Sequence, residues 1–400
     1  MGIPRGACND LRMQLDCVVA GGGIGGSVLA ELLARGGQRV LVLERSVAAP
    51  PWTRPEIFWP TTADFVKQLA APIDAFDIHD GRALRELVPA AALQRAGVRP
   101  WSTDPNGVRE ILLRKASFEV RRGVEVVGLL RDGARVAGVR AREVGAGGGP
   151  GAEIEIPARW TVADDGVESA VRRACGIGID LETFSLEFLC FGLDWPAALP
   201  HSRVRLWSNR RGTASGILGL GAVPLPRARG TGLVLLKRGA LETARADDWE
   251  RFLDLDPLLR EVVAGRPFPD GFAHVRRSFG HAERYGEDGA FLLGDAAHPV
   301  SPAGGQGSSM AVADARTLAE ILLAGEQDPL AVFERRRRAP NTRSVAITRL
   351  VHRVWTLPRW CRPTSGFFGF LALLRARPAL LARMVRDVST RFLEEAPGSP

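Results

Sequence analysis

Lysine is nearly missing from this 400-residue chain. Only Lys67, Lys115 and Lys237 are present, and arginine supplies the rest of the 53 basic residues. That bias reflects a GC-rich coding composition more than a function. Cysteine is sparse as well: Cys8, Cys17, Cys175, Cys190 and Cys361 are scattered, odd in number and never spaced as CxxC. This excludes a disulfide framework and a redox dithiol, and no cluster of histidine and acidic residues has metal-ligand spacing. Long apolar runs are lacking too. The longest near the C-terminus, 366–374, is far short of the roughly 20 residues of a spanning helix. Gly, Pro, Asn and Asp break up the first sixteen residues, so no secretory signal is expected there. Residues 1–12 read as a leader without structure, Met13 as a candidate start, and the location as cytoplasmic.

What is there describes a soluble globular protein. Hydrophobic residues make up 46% and mean hydropathy is −0.01, on a chain long enough for two or three lobes around a sizeable core. The net charge of +8 can serve nucleic acid, an anionic membrane or a polyanionic cofactor. The densest run, the arginines at 335–338, has no interleaved aromatics and follows a helical stretch. It reads as a solvated helix face, and no nucleic-acid partner is expected.

Periodicity organises the chain as α/β. A short strand at 18–20 meets the glycine run 21–26. Val28, Leu29, Leu32 and Leu33 then sit at helical spacing, and a second buried strand runs from 40 to 43. Residues 50–60, rich in Pro and Trp, read as a loop. A helix over 106–116 and strands near 124–130, 134–144 and 152–162 follow. From 183 to 240 the pattern alternates, with Phe184, Leu186, Phe188 and Cys190 on one face. A helical stretch spans 247–264, strand-like residues span 272–279 and 290–293, and the last seventy residues read as amphipathic helices interrupted by prolines. No internal repeat is found.

The first motif is Gly21-Gly22-Gly23-Ile24-Gly25-Gly26, a GxGxxG between a strand and a helix. Gly21, Gly23 and Gly26 allow a tight turn, close backbone approach to a pyrophosphate and close helix–strand packing. The helix N-terminus offers unpaired N–H groups and a positive dipole end to phosphates. Glu44, followed by Arg45, closes the second strand, where a carboxylate can accept bonds from ribose hydroxyls. This pattern predicts dinucleotide binding without separating FAD from NAD.

Two later motifs separate them by resemblance. Phe291-Leu292-Leu293-Gly294-Asp295-Ala296-Ala297-His298-Pro299 continues as Val300-Ser301-Pro302-Ala303-Gly304-Gly305-Gln306-Gly307, and Asp164-Asp165-Gly166-Val167-Glu168-Ser169-Ala170-Val171-Arg172 contains DGxxSxVR. Together with the glycine loop these resemble the class A flavoprotein monooxygenases, the para-hydroxybenzoate hydroxylase type. The resemblance implies a Rossmann-type FAD-binding domain with a mixed-sheet substrate domain and a C-terminal helical region. It implies that Asp295 bonds a ribityl hydroxyl of FAD. Gly304, Gly305, Gln306, Gly307 and Ser309 would lie against the flavin ring, and Asp165 would serve FAD and NAD(P)H handling. Arg109 matches a pyrophosphate contact and Val126 a backbone contact to adenine. Arg54-Pro55-Glu56, with Pro60 beyond, resembles a loop near the ring. His298, Pro299 and Pro302 fall near the flavin, with His298 a structural or flavin-contacting residue rather than a base. Three departures stand out: Asp164 before the DG pair, where the family has a small residue and a nicotinamide cofactor would pass; Ser309 in place of Asn; and Ala311 in place of Gly.

The resemblance further implies that NAD(P)H reduces FAD and that O₂ then gives a C4a-hydroperoxide, which hydroxylates or epoxidises an apolar, aromatic or polycyclic small molecule. Residues 13–75, 100–182 and 281–330 are expected to form the FAD-binding domain, 76–99 and 183–280 the substrate domain, and 331–400 the helical region. Phe188, Arg205 and Trp207 are candidate substrate-lining residues, and catalysis calls for no further side chain. A second GxGxxG and the WxWxIP motif of tryptophan halogenases are absent. The alternatives are an FAD-dependent reductase or halogenase on the same fold, or a flavin-binding protein without turnover. Residues 351–392, rich in Arg with Trp and Phe, are expected to cover the substrate lobe, a weak peripheral membrane contact being the alternative.

Overall fold

The computed structural model describes residues 15–49, 54–114, 116–144, 150–209, 216–300, 305–356 and 377–386. Its first layer grows from the apolar run Leu15–Ala20, which pairs in parallel with Val40–Glu44 on one side and Pro150–Ala163 on the other. Ala290–Leu292 and Glu119–Arg122 extend the parallel array at its two ends. The inner strands are buried on both faces and therefore read as continuous Val and Leu rather than as alternation. Val124–Asp132 and Arg135–Val144 attach antiparallel to Pro150–Ala163 as a meander, and Gly286–Glu287, antiparallel to Ala290–Leu292, completes an eight-stranded sheet. The helices Ile24–Arg35 and Gly307–Ala324 pack on this sheet, with Val28, Leu29, Leu33, Val312, Ala315 and Leu318 in its core.

A second, seven-stranded sheet runs Ala273–Ala282, Ile179–Asp194, Arg229–Lys237, Ile217–Leu225, Arg203–Ser208, Ala75–His79 and Leu84–Val88. It is antiparallel except where Arg203–Ser208 meets Ala75–His79. The alternation of Phe184, Leu186, Phe188 and Cys190 puts all four, with Phe279, in one buried cluster. The opposite face carries Leu189, Phe191, Leu193, Trp207 and Leu220 and is sealed by the helices Ala246–Leu253 and Pro257–Val263 through Trp249, Phe252, Leu259 and Val262. The helical stretch expected at 247–264 is therefore two helices. Asp256 caps the second by accepting from Leu258 N at 3.1 Å, and Pro257 occupies its first position, a placement that suits a ring with no N–H.

Three local expectations change. Residues 56–58 pair with Trp101–Thr103, so the loop expected over 50–60 contains a short strand. Pro340 does not end a helix, because Pro329–Thr356 runs through it. The arginines at 335–338 are not a solvated face: Arg337 is 1% exposed, Arg336 reaches Glu320 at 2.7 Å, and Arg338 donates to the Ala282 carbonyl at 3.2 Å. Four successive helical residues sweep more than a full turn, so one of them had to face the core.

Within 351–392 the helix Pro378–Arg386 is described. It lays Leu381 against Ala92 and Val88, and Arg386 donates to the carbonyls of Ala96 and Arg95, both at 3.1 Å. Its apolar side is thereby occupied by the protein itself. Among the described residues no helix is long and apolar enough to cross a membrane.

Candidate functional site

The glycine loop is built by close approach. Gly21 has φ +94°, and a Cβ on it would collide with the backbone of Asp164, whose N–H donates to the Ala20 carbonyl at 2.8 Å. The neighbouring strand thus crosses directly over the loop. Glu44 closes it from the other side: Oε2 accepts from Gly22 N at 2.9 Å and Oε1 from Ser46 N at 2.7 Å. These bonds leave carboxylate lone pairs for a further donor.

Arg109, on the helix Pro105–Arg114, brings Nη2 within 3.6 Å of Glu44 Oε1. Its Nε and Nη2 are buried and find no hydrogen-bond partner among the described residues. A buried guanidinium with open donors beside a helix N-terminus fits an anionic oxygen ligand. Arg45 turns outward, 73% exposed, to Glu125 at 3.6 Å, beside the buried Val126. Both stay at that edge, and the Arg45 charge does not enter the loop.

The DGxxSxVR stretch has mechanical reasons for its residues. Asp165 Oδ2 accepts from Ala170 N at 2.8 Å and Val171 N at 3.3 Å, and Ser169 Oγ accepts from Arg172 N at 2.9 Å, so two side chains cap the short helix Ala170–Ala174. Arg172 donates to the Ala296 and Val167 carbonyls at 2.8 and 2.6 Å, tying this turn to Gly294–Ala296. Asp165 Oδ1 remains buried without a partner. Burial raises the Asp165 carboxyl above its usual range, while Ser169 and the N–H groups of Val171 and Ala170 oppose the rise.

The Asp295 side chain is 40% exposed, and Arg277 stands 3.9 Å away. Arg277 gave no signal in the sequence, because the long-range strand register brings it there. Gly305 has φ +58° and lies against Ile57, while Ser308 Oγ donates to Glu56 Oε1 at 2.6 Å. The structure therefore joins the 54–56 segment to the start of the late helix, with Gln306 as its N-cap residue and Gly307 its first. Pro302 and Gly304 lie outside the described residues.

Ser309 and His298 are closed inside the protein. Ser309 is fully buried, and its hydroxyl accepts from Trp59 N at 3.3 Å and Thr62 Oγ1 at 2.9 Å. His298, 1% exposed, bonds Asp314 through Nε2 at 2.6 Å, and the buried carbonyl of Pro299 accepts from Gly280 N at 3.0 Å. Nor do the three expected lining residues share a surface. Phe188 points to one face of the second sheet, whereas Arg205 and Trp207 point to the other. There Trp207 Nε1 donates to Asp256 at 2.7 Å beneath the two covering helices, with the Arg205 guanidinium 6.0 Å from its ring. Strand parity thus sets Arg205 and Trp207 on the opposite face from Phe188.

The profile of the FAD binding domain family matches residues 14–342, which includes the glycine loop, the DG turn and the Asp295 turn. The chain belongs to this family. Among its relatives, 6-methylpretetramide 4-monooxygenase of Streptomyces rimosus is 29% identical over 337 residues, 78% of this chain and 75% of that protein. Para-nitrophenol 4-monooxygenase of a Pseudomonas species is 27% identical over 77% of each chain. The crystal structure of p-nitrophenol 4-monooxygenase from Pseudomonas putida superposes with a TM-score of 0.72 at 21% identity, over 96% of this chain and 98% of that one. This FAD-dependent monooxygenase has an α/β fold of the class A type, as the motifs implied. Its residues fit the cofactor: Arg109 and Asp165 hold buried polar atoms that find no hydrogen-bond partner among the described residues.

Asp295→Ala is expected to lower FAD affinity by about 1–3 kcal/mol, the cost of leaving a polar partner unpaired. Purification shows the outcome directly, since a variant as yellow as the parent would remove Asp295 from the cofactor contacts.

Proposed function

We propose that this monooxygenase hydroxylates an apolar, aromatic or polycyclic small molecule held over the flavin on the face of the second sheet opposite its two covering helices. The observation that carries the reading is that face. Leu206, Leu218, Leu233, Leu235, Phe76 and Val275 are only partly buried on it, around the closed Phe184–Phe188–Phe279 cluster. Partly buried apolar side chains grouped on one side of a sheet suit an apolar ligand more than open solvent. Ile57 packs with the same side and is what a Cβ on Gly305 would meet, which supports a substrate surface beside the late helix.

Bound FAD supplies the oxygen-activating redox chemistry, with NAD(P)H as reductant and O₂ as the oxygen source. The chain's own residues position and shield. Arg109 would meet the pyrophosphate, Glu44 a ribose and Asp295 the ribityl chain. The N-terminus of Gly307–Ala324 would favour negative charge on the ring by its dipole. The leucine-lined face would exclude water and orient substrate. Substrate contacts pass from Arg205 and Trp207 to Phe188 and its cross-strand neighbours Leu235 and Val275, which share its face. The names of the relatives support an aromatic substrate, being those of monooxygenases of a pretetramide and a nitrophenol.

The test is turnover under ¹⁸O₂ with NADH or NADPH and a panel of phenols and polycyclic aromatics. One labelled oxygen in the product is expected. NAD(P)H consumption without label in any product would remove hydroxylation.

A further inference from the structure

Asp164 is the one departure from the family pattern that lands inside the cofactor cradle. Its Oδ2 accepts from Gly26 N at 2.7 Å, in the first turn of Ile24–Arg35, where the family's glycine loop presents N–H groups to phosphate. The same carboxylate fills the space beside Gly23, Gly25 and Gly294, so a Cβ on Gly23 would collide with it and one on Gly25 would come within 3.3 Å of Oδ1. The helix N-terminus therefore already holds an anion, supplied by the protein.

We propose that Asp164 occupies the pyrophosphate's place at this helix end as a carboxylate, and that FAD binds the protein in which Asp164 has taken up a proton. The inference rests on FAD being seated at this loop. Its geometry sets the sign. Among the described residues the glycine helix presents Gly23, Gly25 and Gly26 to the Asp164 carboxyl and the Asp295 turn presents Gly294, none of which carries a charge. The charges acting on it are the carboxylates Asp295, Asp165 and Glu44. Cations engage the neighbouring carboxylates one step away, Arg109 at Glu44, and Arg277 and Arg54 at Asp295. A diphosphate entering here as an anion meets four carboxyl groups, and Asp164 is the one touching the phosphate-binding N–H. Burial first, then these three carboxylates, push the Asp164 carboxyl well above its ordinary range against the Gly26 bond. Binding that requires protonation takes up about one proton per FAD, and its Kd rises about tenfold for each pH unit above the carboxyl's own pKa.

Isothermal titration of FAD into the deflavinated full-length protein, between pH 5.5 and 8.5 and in buffers of different ionisation enthalpy, measures both quantities. The parent is expected to show Kd rising with pH and about one proton taken up. Asp164→Asn keeps the shape and an acceptor for Gly26 N, and Asp164→Ala restores a small residue. Both should bind FAD more tightly than the parent at pH 8, with a flatter pH profile and less proton uptake. Equal affinities and flat pH profiles in parent and variants would overturn the proposal while leaving FAD at the loop. Weaker binding in both variants would overturn it too, by showing that the carboxylate helps. Failure of every form to bind FAD would overturn the seating of the cofactor as well.

Discussion

Asp314→Ala is expected to lower the stability of the folded protein by about 3–5 kcal/mol, the cost of leaving a buried charge without its partner. Asp314 has no exposed surface. Its Oδ2 is bonded to His298 Nε2 at 2.6 Å, and its Oδ1 accepts from Arg337 Nε at 2.8 Å and Asn341 Nδ2 at 3.0 Å. Arg337 is itself 1% exposed. Truncation would leave its guanidinium inside the core, short of a counter-charge and away from water. The damage would reach the cofactor site, because Gly294 N also donates to Asp314 Oδ2 at 3.3 Å and Asp295 is the next residue. Burial alone would raise the Asp314 carboxyl, but His298 and Arg337 hold it well below the usual carboxylate range. A depressed carboxyl stabilises the fold at every pH above its ordinary value and loses that contribution only as the pH falls through the depressed one. The gap between parent and variant should therefore persist from pH 8 down to pH 5. Urea unfolding at these two pH values checks both statements. A variant within about 1 kcal/mol of the parent would show that the network contributes specificity rather than stability.

The same network shows why part of this protein is legible in its sequence and part is not. The βαβ unit could be read because its signals are local: a glycine run, helical spacing from Val28 to Leu33 and a carboxylate at the strand end. The parity of Phe184, Leu186, Phe188 and Cys190 could be read for the same reason, as alternation within one strand. The face of Trp207 could not, because it depends on how Arg203–Ser208 is registered against strands more than ten residues away, and register is set by tertiary contact. Arg337 left a signal that charge-run reasoning overrides. Phe333, Arg337, Asn341, Ser344 and Thr348 recur at three- and four-residue spacing and are all buried, so a polar stripe at helical period marks the inward side of that helix. Asp164 was visible as a departure, but its place at the glycine loop follows from the parallel register of Ala20 with Ala163. That register is a long-range pairing.

Gly21→Ala and Gly166→Ala, compared side by side, separate backbone conformation from close approach. Both glycines have positive φ, +94° and +82°, so alanine at either costs about 1–2 kcal/mol in a conformation that L-residues avoid. At Gly166 nothing lies within 4 Å of the added Cβ, and the cost should end there. At Gly21 the Cβ would meet the Asp164 carbonyl and the Asp165 Cα. Those atoms cannot step aside, because Asp164 N is bonded to the Ala20 carbonyl and Ala163 is in parallel register with Ala20. The added methyl must prise two central strands apart, a cost of about 1–3 kcal/mol beyond the conformational one. The total for Gly21→Ala is then about 2–5 kcal/mol, with the displaced loop losing FAD even in molecules that remain folded. Urea midpoints and retained flavin absorbance give the two readouts. The expected order is a colourless, strongly destabilised Gly21→Ala and a yellow, mildly destabilised Gly166→Ala. Equal losses at the two positions would mean that the crossing strand is not what demands glycine in the loop, and that its left-handed turn alone does.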